Sequence, residues 1–462
     1  MTSLWFESAL LPQGWARGVR LSASDGRICE VSAGVAPAAA DERHGIGVPG
    51  LPNLHSHAFQ RGLAGLTEQR AAGSDSFWSW RELMYRFVER LDPDEFEALS
   101  TLAFAEMLEA GFTHVGEFHY LHHDRGGVAF ADPGELATRI AAAASHTGIG
   151  LTLLPVFYAH SGFGGRSPGT RQCRFVNDPE GFARIVEASR KAVGRLPGGG
   201  IGVAPHSLRA VTAAELAEVL PLARGGVVHI HIAEQTREVE ECLAWCGRRP
   251  VEWLLDEQPV DSRWCLVHAT HVAAAELAGI AQRAAVVGLC PLTESSLGDG
   301  IFPAAEFLAQ RGRIGIGSDS NILLDAADEL RTLEYSQRLA LRARNVLASG
   351  AGASTGRSLF EHALAGGRQA LHGPAAGAAA GGLTVGASCD VLSLAAAHAA
   401  LLERRGDEIL DSWIFAGGRS VIDCVWRAGV KVVSNGRHHD RDAIVARFAR
   451  TLKHLRAADT PS

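Results

Sequence analysis

The chain has 462 residues, of which 47% are hydrophobic and 21% are charged, a composition typical of a globular protein with a large core. Its formal charge of -7 comes from interspersed acidic and basic residues, so it lacks the basic stripe that a nucleic-acid backbone requires. The first residues carry Glu7 among apolar neighbours with no preceding basic run, and no apolar run approaches the roughly 18 residues of a membrane span. We therefore expect a cytoplasmic protein with no nucleic-acid or membrane partner.

Short strands broken by Gly and Asp are predicted near both ends of the chain. They are residues 18–21, 27–31, 388–394 and 423–433. The Gly/Ala-rich stretch 373–382 is typical of a linker and marks the expected return to the sheet. We predict a small β-sandwich domain formed by both termini, over 1–48 and 378–440, followed by a C-terminal helix or tail over 441–462.

Between these flanks, over 49–377, short apolar strands alternate with helical stretches such as 93–109, 178–194 and 212–222. This alternation is typical of a parallel sheet with crossover helices. Eight such units predict an α/β fold with a (β/α)8 TIM-type barrel, whose active site lies at the carboxyl ends of the strands. The predicted strands are 47–54, 113–118, 151–157, 202–204, 227–232, 264–267, 285–289 and 313–316.

Two histidines, His55 and His57, stand at the end of the first predicted barrel strand. Positions i and i+2 of an extended chain point to the same side, so both imidazoles can reach one ion. On its own this pair is a weak signal, because a His-x-His also occurs without any metal. The pair gains weight from the residues at the ends of other strands.

Three later strands also end in side chains that suit a metal centre. The fifth ends in His231 with Glu234 three residues further on, the sixth ends in His268, and the eighth is followed by Asp319. His229 shares the face of His231 but lies one layer deeper, so we expect it to be a buried, hydrogen-bonded histidine. Without the histidines, Asp319 would be interpreted equally well as a helix N-cap.

The predicted ligand set is therefore His55, His57, His231 and Asp319. Three neutral imidazoles and one carboxylate suit one divalent ion, Zn2+ first and Fe2+ as the alternative, with room for a bound water. No lysine occupies a strand end where it could bridge a second ion. The eight cysteines show no metal-finger spacing, and Cys242 and Cys246 are expected on an ordinary helix face.

The opening motif Pro-Gly-Leu-Pro-Asn-Leu-His-Ser-His at 49–57 and the late motif Gly-Leu-Thr-Val-Gly-Ala-Ser-Cys-Asp at 382–390 resemble the amidohydrolase superfamily, deaminase branch. The resemblance covers nearly the whole chain. Cys389 stands where alanine is commoner in that family, but this position is far from the predicted chemistry. The resemblance implies a metal-dependent hydrolase.

Deamination requires an activated water, which a metal ion supplies by lowering the pKa of its bound water from about 15.7 towards about 7. We expect Glu234 to take the proton of that water and to deliver it to the leaving nitrogen. Asp319 can hold the attacking water while it ligates the metal, and His268 can polarise the reacting centre. The alternative for His268 is a packed histidine without a chemical role.

Further motifs resemble the formimidoylglutamate deiminases within that superfamily. They are His-Ser-His-Ala-Phe-Gln-Arg-Gly-Leu at 55–63, Phe-Trp-Ser-Trp-Arg at 77–81, Glu-Phe-His-Tyr at 117–120 and Ala-Pro-His-Ser-Leu-Arg at 204–209. The resemblance implies hydrolysis of N-formimidoyl-L-glutamate to N-formyl-L-glutamate and ammonia in histidine degradation, and it suggests a homodimer. Two arginines and a tyrosine at one pocket also suit a substrate with carboxylates. By this resemblance the amino-acid part of the substrate would be bound by Gln60, Arg81, Tyr120, His206 and Arg209.

Two alternatives stay open at this point. A guanine or S-adenosylhomocysteine deaminase would use the same metal centre, but it should show more aromatic stacking and less need for two arginines. A catalytically silent binding paralogue should have lost a ligand or the acid, and every expected one is present. Formimidoyl-glutamate and formimidoyl-aspartate differ by about one methylene, worth roughly 1 to 3 kcal/mol, which the sequence does not resolve.

Overall fold

The first and last strands of the chain form one mixed sheet. A computed structural model describes residues 2–70, 76–373 and 382–457. The strands of this sheet are β1 Thr2–Leu11, β2 Gly14–Ser24, β3 Arg27–Ser32, β4 Glu42–Pro49, β14 Val391–Leu394, β15 Ile422–Arg427, β16 Val430–Ser434 and β17 Arg437–His438. They pair in the order β17-β16-β15-β14-β4-β1-β2-β3, and within this sheet only β1 and β4 are parallel.

The N-terminal and C-terminal halves of this sheet share one core. Leu4, Phe6 and Val19 pack with Val391 and Trp426 from the other half. Since neither half can bury its apolar face alone, the domain needs both ends of the chain. The predicted stretch 423–433 is two strands, because Ala428 and Gly429 adopt positive φ angles of 48° and 74° and turn the chain back on itself.

Parallel strands form the barrel in chain order. The strands are β5 Leu51–Ser56, β6 Phe112–His119, β7 Gly150–Phe157, β8 Gly200–Ile201, β9 Ala204–Pro205, β10 Val228–Ile232, β11 Trp264–His268, β12 Val286–Leu289 and β13 Arg313–Ile316. The pairing runs β5-β6-β7-β8 and β10-β11-β12-β13, with β9 on β7, and isolated bridges join Val203 to Val228 and Ser56 to Asp319. The predicted (β/α)8 barrel with a terminal sheet domain is confirmed.

Two predicted barrel strands are interrupted in the structure. The stretch 47–54 is interrupted at Gly50, so that residues 47–49 belong to β4 of the terminal sheet. A Cβ at Gly50 would lie 2.3 Å from the Thr113 side chain, which explains why glycine occupies the crossing between the two domains. The fourth barrel strand is split into β8 and β9, with residues 202 and 203 between them.

Helices cover the outside of the barrel, and they begin where the sequence provides caps. Asp92 accepts a hydrogen bond from Glu95 N at 2.8 Å, and Pro93 occupies the first helical turn of 93–109. None of the described helices is long and apolar enough to span a membrane. The helices are Phe77–Val88, Pro93–Glu109, Glu135–Thr147, Pro179–Val193, Ala213–Val219, Thr236–Cys246, Pro250–Glu257, Ala274–Gln282, Pro291–Leu297, Ala304–Ala309, Ala326–Leu341, Thr355–His372, Glu408–Ser412 and Arg441–Ala457.

The predicted limits of the terminal sheet domain, the barrel and the C-terminal tail remain predictions. The boundary at 377/378 and most of the predicted linker 373–382 lie outside the described residues, as do 458–462 of the predicted tail. The last described helix, Arg441–Ala457, packs on the barrel, where Arg441 donates to the carboxylates of Glu106 and Glu109 at 2.9 and 3.0 Å.

Candidate active site

The four predicted metal ligands come together at the carboxyl ends of three strands. Their ligand atoms all lie within 4.8 Å of one another. Asp319 Oδ1 is 3.3 Å from His55 Nε2 and 3.2 Å from His57 Nε2, and His231 Nε2 is 3.0 Å from His55 Nε2. Imidazole nitrogens face each other at such a short distance when their lone pairs can coordinate one shared cation.

The protonation states of these groups suit a divalent metal ion. His57 Nδ1 donates to the carbonyl oxygen of Phe118 at 2.9 Å, which leaves the Nε2 lone pair facing the centre. Burial lowers the pKa of His55 to about 3 and holds the pKa of His231 well below its usual value. Burial acts to raise the pKa of Asp319, but His55 and His57 outweigh it and hold this pKa well below the usual range. Neutral imidazoles and a carboxylate are the forms that bind metal.

A buried polar network fixes the loop that carries Asp319. Asn53 Nδ2 donates to Ser318 Oγ at 2.6 Å, and Ser318 Oγ donates to Asn321 Oδ1 at 2.6 Å. Asn321 Nδ2 in turn donates to the carbonyl of His57 at 2.9 Å. Since Asn53, Ser318 and Asn321 are almost fully buried, these bonds hold the first and last barrel strands in register at the centre.

Three strand ends at the site have non-glycine residues in the left-handed region. Ala233 has a φ of 51°, His268 of 69° and Asp319 of 44°. Such conformations cost roughly 1 to 3 kcal/mol each and persist where surrounding contacts enforce them. Here they turn the chain sharply, so that Glu234, His268 and Asp319 all reach the barrel mouth.

Glu234 and His268 lie beside the predicted ligands. His268 Nε2 is 3.8 Å from Glu234 Oε1 and 3.9 Å from Asp319 Oδ2. Burial raises the pKa of Glu234 to about 7, against the opposing charges of His268 and Arg209. Burial acts to lower the pKa of His268, but Glu234, Glu294 and Asp319 outweigh it and raise this pKa to about 10. A carboxyl group with a pKa near neutrality can both accept and donate a proton.

Two carboxylates that the sequence did not single out support these groups. Glu294 Oε1 lies 3.1 Å from His268 Nδ1 and accepts from Cys290 N at 2.9 Å. Glu238, which is fully buried, accepts from Ala233 N and Glu234 N at 3.1 and 3.3 Å. Each follows a barrel strand on a helix, where a charged residue usually indicates a solvated face.

A cavity opens above this centre. All five predicted substrate-binding residues line it, together with Glu234, His268 and three of the four predicted ligands. His55 lies buried beneath them, and His229 forms a hydrogen bond with the carbonyl oxygen of Ala370 at 2.8 Å, as expected for a deeper, buried histidine. The five residues are Gln60, Arg81, Tyr120, His206 and Arg209.

A cationic end of the cavity is lined by two arginines and by aromatic side chains. The guanidinium carbon of Arg81 is 4.6 Å from the centre of the Trp78 ring, and that of Arg209 is 5.7 Å from it. The Nε atoms of both arginines are buried and have no hydrogen-bond partner among the described residues. The Arg209 Nε lies 3.9 Å from Glu238, beyond hydrogen-bond distance. Unpaired buried donors of this kind are suited to a ligand with carboxylates.

The wall between the two ends is built from polar side chains with defined partners. Gln60 Nε2 donates to Tyr120 Oη at 2.8 Å, whereas Gln60 Oε1 is buried without a partner among the described residues. The His206 ring lies 5.0 Å from the His231 ring and 4.7 Å from the Tyr158 ring, measured between centroids. His206 therefore connects the histidine centre to the cationic end.

Comparison with known proteins identifies the family. Residues 46–354 match the profile of the Amidohydrolase family. The chain belongs to the amidohydrolase family. Residues 1–45 also match the profile described as "Formimidoylglutamate deiminase HutF, N-terminal domain", so the terminal sheet carries its own signature.

Individual relatives agree with both profiles. The chain is 49% identical to the formimidoylglutamate deiminase of Pseudomonas aeruginosa over 457 residues, covering 98% of this chain and 100% of that protein. It is 53% identical, with a TM-score of 0.94, to the crystal structure of an amidohydrolase from Brucella melitensis, covering 98% and 100%. A 5-methylthioadenosine/S-adenosylhomocysteine deaminase of Natronomonas pharaonis is 28% identical over 76% of this chain and 74% of that protein. The resemblance to formimidoylglutamate deiminases is thereby confirmed, and the nucleoside deaminases are more distant.

Proposed function

We propose that this amidohydrolase hydrolyses N-formimidoyl-L-glutamate to N-formyl-L-glutamate and ammonia. The observation that carries the proposal is the polarity of one cavity. It is lined by a centre of histidines and carboxylates and by two arginines whose buried Nε atoms have no partner in the described part of the chain. The full-length relative named formimidoylglutamate deiminase supports the same substrate.

The charges of the substrate complement the two ends of the cavity. Its formimidoyl group is an amidine, which is cationic near neutral pH, and Glu234 and Asp319 line the end that would receive it. Its two carboxylates would lie towards Arg81 and Arg209, since a guanidinium binds a carboxylate through two parallel hydrogen bonds. A neutral nucleobase would leave both arginines unpaired, which costs free energy in a buried site.

We propose that His55, His57, His231 and Asp319 hold one divalent ion, Zn2+ by preference, because three neutral imidazoles and one carboxylate are ligands that suit zinc. When bound, the ion supplies a water of lowered pKa and a positive charge at the reacting carbon.

Within the chain itself, proton transfer falls to Glu234. As a carboxylate it can take a proton from the attacking water, and as a carboxylic acid it can return that proton to the departing nitrogen. A pKa of about 7 keeps both forms accessible during one turnover at neutral pH. His268, kept protonated by its neighbouring carboxylates, would orient the water and stabilise negative charge on the attacking oxygen.

Gln60, Tyr120 and His206 would orient the substrate along the cavity. The unpaired Gln60 Oε1 can accept a hydrogen bond from an N–H of the substrate. His206 presents its ring between the two ends, with its Nδ1 held 3.0 Å from Ser207 Oγ. By limiting the orientations of the substrate, these contacts would place its formimidoyl carbon beside the proposed metal ligands and Glu234.

The decisive experiment measures ammonia release by zinc-loaded protein from four compounds: N-formimidoyl-L-glutamate, N-formimidoyl-L-aspartate, guanine and S-adenosylhomocysteine. We expect fast release from the glutamate compound and loss of this activity in Glu234→Gln, with the exposed Glu240→Gln as a matched control. Release from a nucleobase or nucleoside alone would contradict the substrate. No release from any of the four would contradict the activity.

A role in histidine degradation, a cytoplasmic location and a homodimeric assembly belong to the same proposal. The role in histidine degradation and the assembly rest on the resemblance, and size-exclusion chromatography with light scattering tests the assembly directly. A monomer at micromolar concentration would contradict the dimer without affecting the proposed chemistry.

A further inference from the structure

Two tyrosines that the sequence analysis did not single out line the cationic end of the cavity. Tyr85 belongs to the helix Phe77–Val88, and Tyr158 directly follows β7. Both are 6% exposed and line the same cavity as Arg81 and Arg209. The Arg81 guanidinium carbon lies 5.5 Å from the centre of the Tyr85 ring.

The side-chain amide of Gln172 determines which way these hydroxyls can donate. Gln172 Oε1 accepts a hydrogen bond from Gly169 N at 2.7 Å, so its amide nitrogen must face the tyrosines. Gln172 Nε2 then donates to Tyr158 Oη at 2.5 Å and to Tyr85 Oη at 3.4 Å. Both phenol oxygens are therefore acceptors towards Gln172, and neither can give its proton to that residue.

The two hydroxyl protons still require acceptors. One tyrosine can donate to the oxygen of the other, because the Tyr158 hydroxyl is within hydrogen-bond reach of Tyr85. No hydrogen bond among the described residues takes the remaining proton, so at least one O–H is left to donate into the cavity. Burial raises the pKa of Tyr158 far above its usual value, so it stays protonated at neutral pH.

We propose that the Tyr85–Tyr158 pair, oriented by Gln172, donates a hydrogen bond to a substrate carboxylate beside Arg81 and Arg209 and so determines specificity. This inference rests on the proposed function for the identity of the substrate. Its chemistry is complementary to that of the arginines. The arginines supply positive charge. The phenol is neutral and donates a directional hydrogen bond, which a carboxylate oxygen can accept.

A carboxylate is the ligand class that these groups favour. The two guanidinium groups present donors only, a phenol O–H adds one more donor, and the aromatic side chains of Phe77, Trp80 and Phe175 offer no competing acceptor. A ligand without acceptor oxygens would leave the Nε donors of both arginines, which have no partner among the described residues, without a hydrogen bond in a buried site. The same argument excludes a cationic group at this end of the cavity.

The test uses the isosteric variants Tyr85→Phe and Tyr158→Phe, singly and together, with the exposed Tyr335→Phe as a matched control. A hydrogen bond to a charged group is worth enough for roughly a tenfold to hundredfold change in affinity. We expect the double variant to raise KM for N-formimidoyl-L-glutamate by that factor, with kcat changed by less than about threefold. A KM within about threefold of wild type in the double variant would overturn the proposal.

Truncated substrates separate a direct contact from a change in pocket shape. N-formimidoyl-L-2-aminobutyrate lacks the side-chain carboxylate, and 4-formimidoylaminobutyrate lacks the α-carboxylate. We expect the effect of the double variant on KM, or on the inhibition constant if turnover is too slow, to disappear for one of them. An equal effect on both would mean that the hydroxyls act only on structure, which refutes the contact.

The outcomes also distinguish this inference from the proposed function. A wild-type protein that releases no ammonia from N-formimidoyl-L-glutamate contradicts the proposed function itself. An active wild type whose Tyr→Phe variants are unchanged contradicts the tyrosine contact alone. If the double variant does not fold, the single variants decide, because at least one of them must show the rise in KM.

Discussion

Replacing Glu238 by Gln tests how the site is held together. The carboxylate of Glu238 accepts the backbone N–H groups of Ala233 and Glu234 and faces the Arg209 guanidinium at 3.9 Å. It therefore joins the strained turn that carries the proposed acid to a residue of the cationic end. An amide of the same shape keeps one acceptor oxygen but sets an NH2 group against the second N–H.

The expected loss of stability derives from these contacts. A buried donor left without an acceptor costs about 1 to 3 kcal/mol, and weakening a buried ion pair adds to this. Because the Arg209 contact is long, we take a total of about 3 kcal/mol. With an unfolding entropy of about 2.1 cal/mol/K per residue, a chain of 462 residues loses about 3 °C in Tm.

The activity should fall more steeply than the stability. When the hydrogen bond from the Glu234 N–H to residue 238 is lost, the Glu234 carboxylate is no longer held in position, so we expect kcat to drop by at least about tenfold. Arg209 is also held less firmly, so we expect KM to rise. The assay combines calorimetric melting with steady-state ammonia release, and Glu240→Gln on the same helix, exposed to solvent, serves as control. If Glu238→Gln matches that control in both Tm and kcat/KM, the positioning argument is wrong.

Other expected results concern titration and metal. Since the pKa of Glu234 is raised to about 7, its carboxylate form is lost as the pH falls through that value, and kcat/KM should decline with it; a flat profile down to about pH 5 would contradict its role as base. Glu294→Gln removes one carboxylate that raises the pKa of His268 from its usual value to about 10, so the alkaline limb of the profile should move to lower pH; an unmoved limb would argue against His268. Prolonged chelation should abolish activity, and added zinc should restore it. Elemental analysis should find one ion per chain in wild type and much less in His231→Ala, whereas a second bound ion would contradict the single-metal proposal.

Local patterns were sufficient to predict much of the barrel and of its centre. His55 and His57 share one side of a strand end, and chemistry-bearing residues after four strands meet because parallel strands end at one rim. What the pattern missed depends on contacts distant in sequence. At Gly50, for example, the Thr113 side chain leaves no room for a Cβ, and this contact is not apparent from the apolar run itself.

The supporting residues could not be predicted for a related reason. Glu238 and Glu294 sit on helices, where a glutamate usually faces solvent, yet both are buried against residues that follow or end barrel strands. Tyr85 and Tyr158 come from distant segments, and their common partner Gln172 becomes apparent only when the fold brings these three segments together. A polar residue inside an otherwise apolar strand motif, as at Asn53, was the one available signal for the network beneath Asp319.

The closure of the barrel at β5 and β13 has a consequence for biosynthesis. Ser318 N and Asp319 N both donate to the carbonyl of His55 at 3.0 Å, and Asn321 Nδ2 reaches the carbonyl of His57 across 264 positions of sequence. During synthesis the N-terminal strands leave the ribosome first, when they hold only the histidine pair. The four proposed ligands come together only when the last strand docks. For the proposed metal site, tight binding of the ion would therefore require a completed barrel, and partly synthesised chains would not retain it.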